Sequence, residues 1–296
     1  MHEPVLLQEA IDFLDLKPGK FIIDGTVDGG GHSIEILKKI SPGGMLLGVD
    51  LDKEVLQVAK SRILFENKKL KSKVILTVGN YADLPEILKN KKLDLADGFI
   101  LDLGFSSWHL EESKRGFSFL RDEPLIMTYQ NKGMTAKDFL NQASLEKIYE
   151  VIKIYGEERF ARKIAEKIID FRKKETIRTT KDLREIILSV VPKKYHQQKL
   201  HPAAKTFQAL RIYLNHELEN LKKVLDDLNQ IVKSNGRVAI ISFHSLEDRL
   251  VKNYFKKMKQ ENKLIILTKK PIQPSYAEIL KNPKSRSAKL RVGIIL

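Results

Sequence analysis

The sequence predicts an α/β fold in which a parallel sheet is interrupted by a helical insertion. Three observations carry this: short β-rich runs alternate with helical stretches up to Leu103, a long, mostly helical stretch follows, and sheet-like sequence returns near Arg237.

The β-rich runs are Phe21 to Asp24, Met45 to Asp50, Val74 to Val78 and Gly98 to Leu103, separated by helical stretches such as Ser33 to Ile40 and Lys53 to Leu64. From about Ser107 to His201 the pattern is amphipathic helix. Ile148, Val151, Ile152 and Tyr155 share one face, Ile164, Ala165, Ile168 and Ile169 another, and Leu183, Ile186, Ile187 and Val190 a third. A single long helix from about Pro202 to Val232 should then lead through the turn Ser234-Asn235-Gly236 into a strand from Arg237 to Phe243. The first domain is therefore expected to be discontinuous, residues 1–106 and 202–296, around an insertion of residues 107–201. The runs Leu264 to Thr268 and Leu290 to Leu296 suit a closing antiparallel pair at the sheet edge.

At 296 residues with 42% hydrophobic content, the chain can bury a substantial core. Its 53 Lys and Arg against 38 Asp and Glu give a formal charge of +15, which points to nucleic acid as partner. Genome bias or a hot habitat is the competing source of a Lys-rich, Cys-free composition. With no cysteine, disulfides, thiolate zinc sites and a cysteine nucleophile are excluded. No apolar run approaches the roughly 20 residues of a membrane span. Met1 to Leu7 has neither a basic nor a long apolar leader region, so a soluble, cytoplasmic protein is expected.

The apolar run Phe21-Ile22-Ile23-Asp24 leads into Gly25-Thr26-Val27-Asp28-Gly29-Gly30-Gly31-His32-Ser33 and then a helix. Three consecutive glycines let a ligand approach the backbone closely. Such turns serve dinucleotides and S-adenosylmethionine alike, but the G-x-G-x-x-G spacing of a nicotinamide site is missing. Asp50, ending the second run, is placed to accept hydrogen bonds from two ribose hydroxyls, and Tyr81 to flank an adenine. Ile100-Leu101-Asp102-Leu103-Gly104-Phe105-Ser106-Ser107 sets an acid and hydroxyls at the ligand edge of a central strand, which nominates Asp102 and Ser106 for chemistry. His32 has no second histidine or acid at ligand spacing, and no required metal is expected.

At this point the chain resembles the bacterial ribosomal RNA small-subunit methyltransferase H family nearly end to end. The segments that carry the resemblance are His2-Glu3-Pro4-Val5-Leu6-Leu7, Gly30-Gly31-His32-Ser33, Asp102-Leu103-Gly104 with Ser106-Ser107, and Arg115-Gly116-Phe117-Ser118-Phe119. Further on come Tyr155-Gly156-Glu157-Glu158-Arg159, His201-Pro202-Ala203, Thr206 to Ile212, Ile241 to Arg249 and Ser285-Arg286-Ser287-Ala288. The resemblance implies a Rossmann-like class I methyltransferase sheet with an inserted all-helical substrate domain. It implies N4-methylation of a cytosine in the decoding region of small-subunit (16S) ribosomal RNA, with S-adenosylmethionine as donor. Donor contacts would fall on Gly30, Gly31, His32, Asp50, Tyr81, Asp102 and His109. The partner would be small-subunit RNA or the small ribosomal subunit, and the enzyme a monomer or homodimer.

The chain departs from the family at four places. Asp28-Gly29 stands where Gly-Arg is general, Ile126, Thr128 and Tyr129 interrupt a stretch usually reading Pro-Leu-Asp-Met-Arg-Met, Ala204-Lys205 replaces Thr-Arg, and His109 replaces glutamine. Lys205 keeps the charge without bidentate phosphate recognition.

Without cysteine, methyl transfer must be direct. An exocyclic amine is a weak nucleophile whose alignment should supply much of the rate. Asp102 as acceptor, helped by Ser106, would hold it. Phe105 either stacks on a flipped base or belongs to the core, and His244 either touches RNA or is structural. Basic groups expected around the mouth are Arg115, Arg121, Lys205, Arg211, Lys284, Arg286, Lys289 and Arg291. Two rival functions remain at the level of sequence. A nicotinamide oxidoreductase would share the sheet and Asp50, and a non-catalytic RNA-binding assembly factor would share the charge.

Overall fold

A computed structural model describes residues 4–130, 132–196 and 201–296. His2 and Glu3 of the first motif and the side chain of Ser107 lie outside what is described.

In chain order the elements are α1 (Leu7–Phe13), β1 (Phe21–Asp24), α2 (Gly31–Ile40), β2 (Met45–Asp50), α3 (Lys53–Leu70), β3 (Lys73–Val78), α4 (Leu84–Lys91) and β4 (Ala96–Asp102). A helical stretch follows: α5 (Ser107–Glu111), α6 (Ala136–Gln142), α7 (Leu145–Gly156), α8 (Ala161–Arg172), α9 (Thr180–Val190) and α10 (Ala204–Leu214). The chain closes with α11 (Glu217–Asp226), β5 (Val232–Ser242), α12 (Ser245–Gln260), β6 (Leu264–Ile266), α13 (Tyr276–Lys281) and β7 (Lys289–Ile295). Two compact units result, residues 1–106 with 218–296, and residues 107–217.

The first unit is a seven-stranded sheet in the order β3-β2-β1-β4-β5-β7-β6. Strands β1 to β5 run parallel, and β7 pairs antiparallel with β5 and with β6. Successive side chains on a strand point to opposite faces, and here both faces are covered. Ile22, Leu46, Ile100 and Ile241 pack on Ile11 of α1, Leu37 of α2 and Ile63 of α3. Their neighbours Ile23, Leu47, Phe99 and Ile240 pack on Leu88 of α4, Leu225 of α11 and Phe255 of α12. That is why these strands read as unbroken apolar runs and not as alternation. Because β1 is flanked by β2 on one side and β4 on the other, the strand order reverses there, and the carboxyl ends of β1 and β4 flank the crevice where open α/β sheets bind ligands.

The second unit is all helix around its own core, in which Ile148, Ile152, Ile164, Ile168, Ile187, Phe207 and Leu210 are buried. Helices α6 and α9 begin on reciprocal caps, Thr135 with Asp138 and Thr179 with Asp182, which satisfy otherwise orphaned N–H groups. Gly156 closes α7 against α10, since a Cβ there would stand 2.6 Å from the Lys205 carbonyl oxygen.

Two expectations need correction. The return to the first unit comes at Leu218, not at residue 202, because Ala203, Phe207, Ala209 and Leu210 complete the helical core. The single long helix is broken: α10 ends at Leu214, and His216 takes φ 51 before α11. Asn215 fastens the break by donating from Nδ2 to the carbonyls of Met127 and Arg211. Strand β5 also starts earlier, at Val232, and Ser234-Asn235-Gly236 forms an irregularity within it between the pairs Ala96 with Val232 and Gly98 with Arg237.

Candidate active site

Three strands of the first unit end in an acid: Asp24 on β1, Asp50 on β2 and Asp102 on β4. The turn after β1 is tied to all three. Ser33 Oγ donates to Asp24 Oδ2 at 2.6 Å and the Thr26 N–H to Asp24 Oδ1 at 3.2 Å, so the start of α2 is pinned to the strand it follows. The Asp28 N–H donates to Asp50 Oδ2 and the Asp52 N–H to Asp50 Oδ1, both at 2.9 Å. The Asp102 N–H donates to Thr26 Oγ1 at 2.7 Å.

The glycines are there for space and for handedness. Gly30 caps α2 at φ 80, a left-handed conformation that favours glycine. At Gly25 a Cβ would stand 2.6 Å from Leu101 Cδ2 and 3.3 Å from Tyr81 Cβ, which places Tyr81 beside the turn. At Gly31 it would meet the Pro4 ring at 2.8 Å. Asp28 takes φ 47 with a full side chain, at one of the positions where the chain departs from the family it resembles.

Electrostatically the turn is acidic. Burial pushes the Asp24 carboxyl up to about 6, against the opposing hydrogen bonds from Ser33 and Thr26. Burial likewise pushes Asp50 up to about 7. Asp102 is raised well above the usual carboxylate range by burial first, then by the charges of Asp28, Asp24 and Glu247. Its Oδ2 lies 3.6 Å from His32 Nδ1, while its buried Oδ1 has no hydrogen-bond partner among the described residues. A buried acceptor left without a donor costs free energy, so Oδ1 suits a ligand that brings an N–H or O–H, and mutually repelling carboxylates suit a ligand that brings positive charge.

A glycine turn at the strand-order reversal, held by acids from three strands, is the setting in which comparison with known proteins becomes decisive. Residues 1–294 match the model of the MraW methylase family. The chain belongs to that family. Ribosomal RNA small subunit methyltransferase H of Dictyoglomus turgidum is 44% identical over 295 residues, covering 99% of this chain and 97% of the relative. The protein of the same name in Syntrophus aciditrophicus is 43% identical over 309 residues, with 99% and 96% covered, and that of Sulfurihydrogenibium sp. 44% over 293 residues, with 99% and 98% covered.

In this methylase the first unit brings together most of the residues expected at a donor site: Gly30, Gly31, His32, Asp50, Tyr81 and Asp102, with buried Ser106 at the end of the segment after β4. His109 belongs to the helical unit, where its buried ring meets Phe117 at 5.1 Å and Tyr129 at 5.0 Å edge-on. His244 fills a structural role: as N-cap of α12 its Nδ1 accepts the Glu247 N–H, and Glu247 Oε2 accepts the N–H groups of Phe243 and His244.

The basic rim needs correction. Arg115 is buried, donating to the Tyr129 carbonyl at 2.9 Å and lying over the Trp108 ring at 5.3 Å. Arg211 is buried against Glu217, with Nη2 to Oε2 at 2.9 Å. Arg291 is buried and donates to Asp248 Oδ1 at 2.7 Å, and half-buried Lys289 shares that carboxylate at 3.1 Å. Burial pushes Asp248 up but is outweighed by these two partners, which hold it below its ordinary value. Arg121, Lys284 and Arg286 are exposed, and Lys205 donates to the Glu157 carbonyl at 2.9 Å from a partly exposed position.

Sequence reasoning missed the Asp24–Ser33 bond, the role of Glu247 and the approach of Val5, whose carbonyl lies 3.2 Å from His32 Nε2. The first was open to inspection as a strand-end acid followed by a hydroxyl at the helix start. The third joins residues far apart in the chain and left no local signal.

Proposed function

We propose that this chain transfers a methyl group from S-adenosylmethionine to N4 of a cytosine in the decoding region of small-subunit ribosomal RNA, acting in the cytoplasm as a monomer or homodimer. The observation that carries the reading is the full-length match to relatives named for methylating small-subunit ribosomal RNA, on a chain whose acid-lined glycine turn suits a cationic donor. The donor, when bound, supplies an activated methyl on a positively charged sulfur.

The chain's own residues do the rest. Asp50 accepts hydrogen bonds from ribose hydroxyls with the lone pairs left over from the Asp28 and Asp52 amides. Gly30 and Gly31 keep the turn open to close approach, and Tyr81 flanks the adenine. Asp102 Oδ1 would accept from the exocyclic amine and hold it in place for transfer. The proton that the amine sheds on methylation would pass to Asp102. Ser106 supports that end of β4.

The test is incubation of the protein with small ribosomal subunits, with free small-subunit RNA and with labelled donor, followed by mass spectrometry of the digested RNA. One labelled N4-methylcytidine is the expected product. Label at another base or atom overturns the assignment, and donor binding without any transfer favours an assembly factor.

A further inference from the structure

His32 is buried, with its two ring nitrogens facing different parts of the first unit. Nε2 lies 3.2 Å from the carbonyl oxygen of Val5, and Nδ1 lies 3.6 Å from Asp102 Oδ2. A carbonyl can only accept, so Nε2 carries a hydrogen and the ring orientation is set by the segment before α1. That segment is itself fixed. Pro4 packs on Gly31, Leu6 is buried in a left-handed conformation at φ 51, and the Leu6 N–H donates to Glu278 Oε1 of α13 at 2.9 Å. The Asp102 backbone is held by the bond from its N–H to Thr26 Oγ1, and its buried Oδ1 has no hydrogen-bond partner among the described residues.

We propose that His32 is a positioning residue whose Nε2–H donates to the Val5 carbonyl and whose Nδ1 shares one proton with Asp102 Oδ2, so that the carboxyl keeps one oxygen against the ring and presents the other to the amine being methylated. The inference rests on the assignment of Asp102 to the amine and deepens it. It gives Val5, within the His2-to-Leu7 motif, a task. The donor contact that the family resemblance implies for Gly30, Gly31 and His32 is left to the backbone of the turn, and the His32 ring acts through Asp102. A separation of 3.6 Å is longer than a hydrogen bond, and such links tighten when a site fills.

Two measurements test this on the full chain. In the first, ring nitrogens are observed by NMR in the protein saturated with S-adenosylhomocysteine. His32 is expected to show a protonated Nε2, and Asp102→Asn is expected to shift its Nδ1 resonance. A protonated Nδ1 with bare Nε2, or an Nδ1 indifferent to Asp102→Asn, overturns the proposal.

In the second, His32→Phe keeps a ring and removes both nitrogens. Turnover should fall at least tenfold, while the donor KM and the calorimetric Kd for S-adenosylhomocysteine stay within threefold of wild type. A Kd that rises along with the loss in turnover makes His32 a donor contact, and unchanged turnover makes it structural; either overturns the proposal. If the Phe variant does not fold, His32→Asn takes its place under the same criteria. Wild-type protein that leaves small-subunit RNA unmethylated refutes the functional assignment instead, whereas an active wild type with an indifferent His32 refutes only this inference.

Discussion

Asp50 Oδ2 accepts the backbone N–H of Asp28 at 2.9 Å, so the acid at the end of β2 shapes the glycine turn. Asp50→Asn should therefore do two kinds of damage. Removing one charged acceptor costs about 1–3 kcal/mol, roughly fivefold to 150-fold in donor Kd, by calorimetry. Fluorescence or NMR should also show a disturbed turn before any donor is added.

Donor affinity should depend on pH through the same carboxyl. With Asp50 pushed up to about 7, it is largely protonated in the empty protein at pH 6, and binding ribose hydroxyls and a cationic sulfur requires the carboxylate. Kd should fall as pH rises from 6 toward 7.5, with uptake of a proton by the buffer visible as a heat that scales with buffer ionisation enthalpy. A Kd flat over this range contradicts the assignment.

The stability of the empty protein should move the other way. Asp24, at about 6, and Asp50, at about 7, have folded values above the ordinary 3.8, so the folded state holds their protons more firmly than the unfolded chain. Their contribution is complete below about pH 4 and is lost as pH rises through 6 to 7. Urea midpoints of wild type and Asp50→Asn compared between pH 5 and 7.5 should converge as pH rises.

Asp28→Gly should ease the site. It removes a side chain held at φ 47 and a negative charge that raises Asp24, Asp50 and Asp102 alike. The variant is expected to be as stable as wild type or more so, with the pH dependence of donor binding displaced to lower pH.

The arginines divide by burial. Arg211→Ala leaves the buried Glu217 carboxylate without its cation, and a loss of about 2–4 kcal/mol in urea unfolding is expected, whereas Arg291→Ala leaves Asp248 paired with Lys289 and should cost less. Arg121→Ala and Arg286→Ala should leave stability within about 0.5 kcal/mol. If these exposed groups touch phosphate, each lowers the salt slope of RNA binding by about 1.

The strands were legible because a sheet covered on both faces demands unbroken apolar runs, and β1, β2 and β4 end on the acids that mark them in the sequence. The glycine turn was legible because the strand-end acid and the run of glycines stand side by side in the sequence. Less legible was what depends on distant contacts. The break after α10 is fixed by Asn215 reaching back to Met127, and the fate of Arg115, Arg211 and Arg291 depends on partners and burial that a charge count does not register. A basic residue on a helix reads the same whether it meets solvent or a carboxylate.

The discontinuous first unit has a consequence for synthesis. Strands β1 to β4 leave the ribosome well before β5, so the edge of β4 must wait, unpaired, while the whole helical unit is made. That unit is contiguous and helical with a core of its own, the kind of topology that folds fast on local contacts. Until β5 emerges to pair with β4, the nascent chain presents a bare apolar strand, the stage at which it is most open to misassociation and most in need of protection.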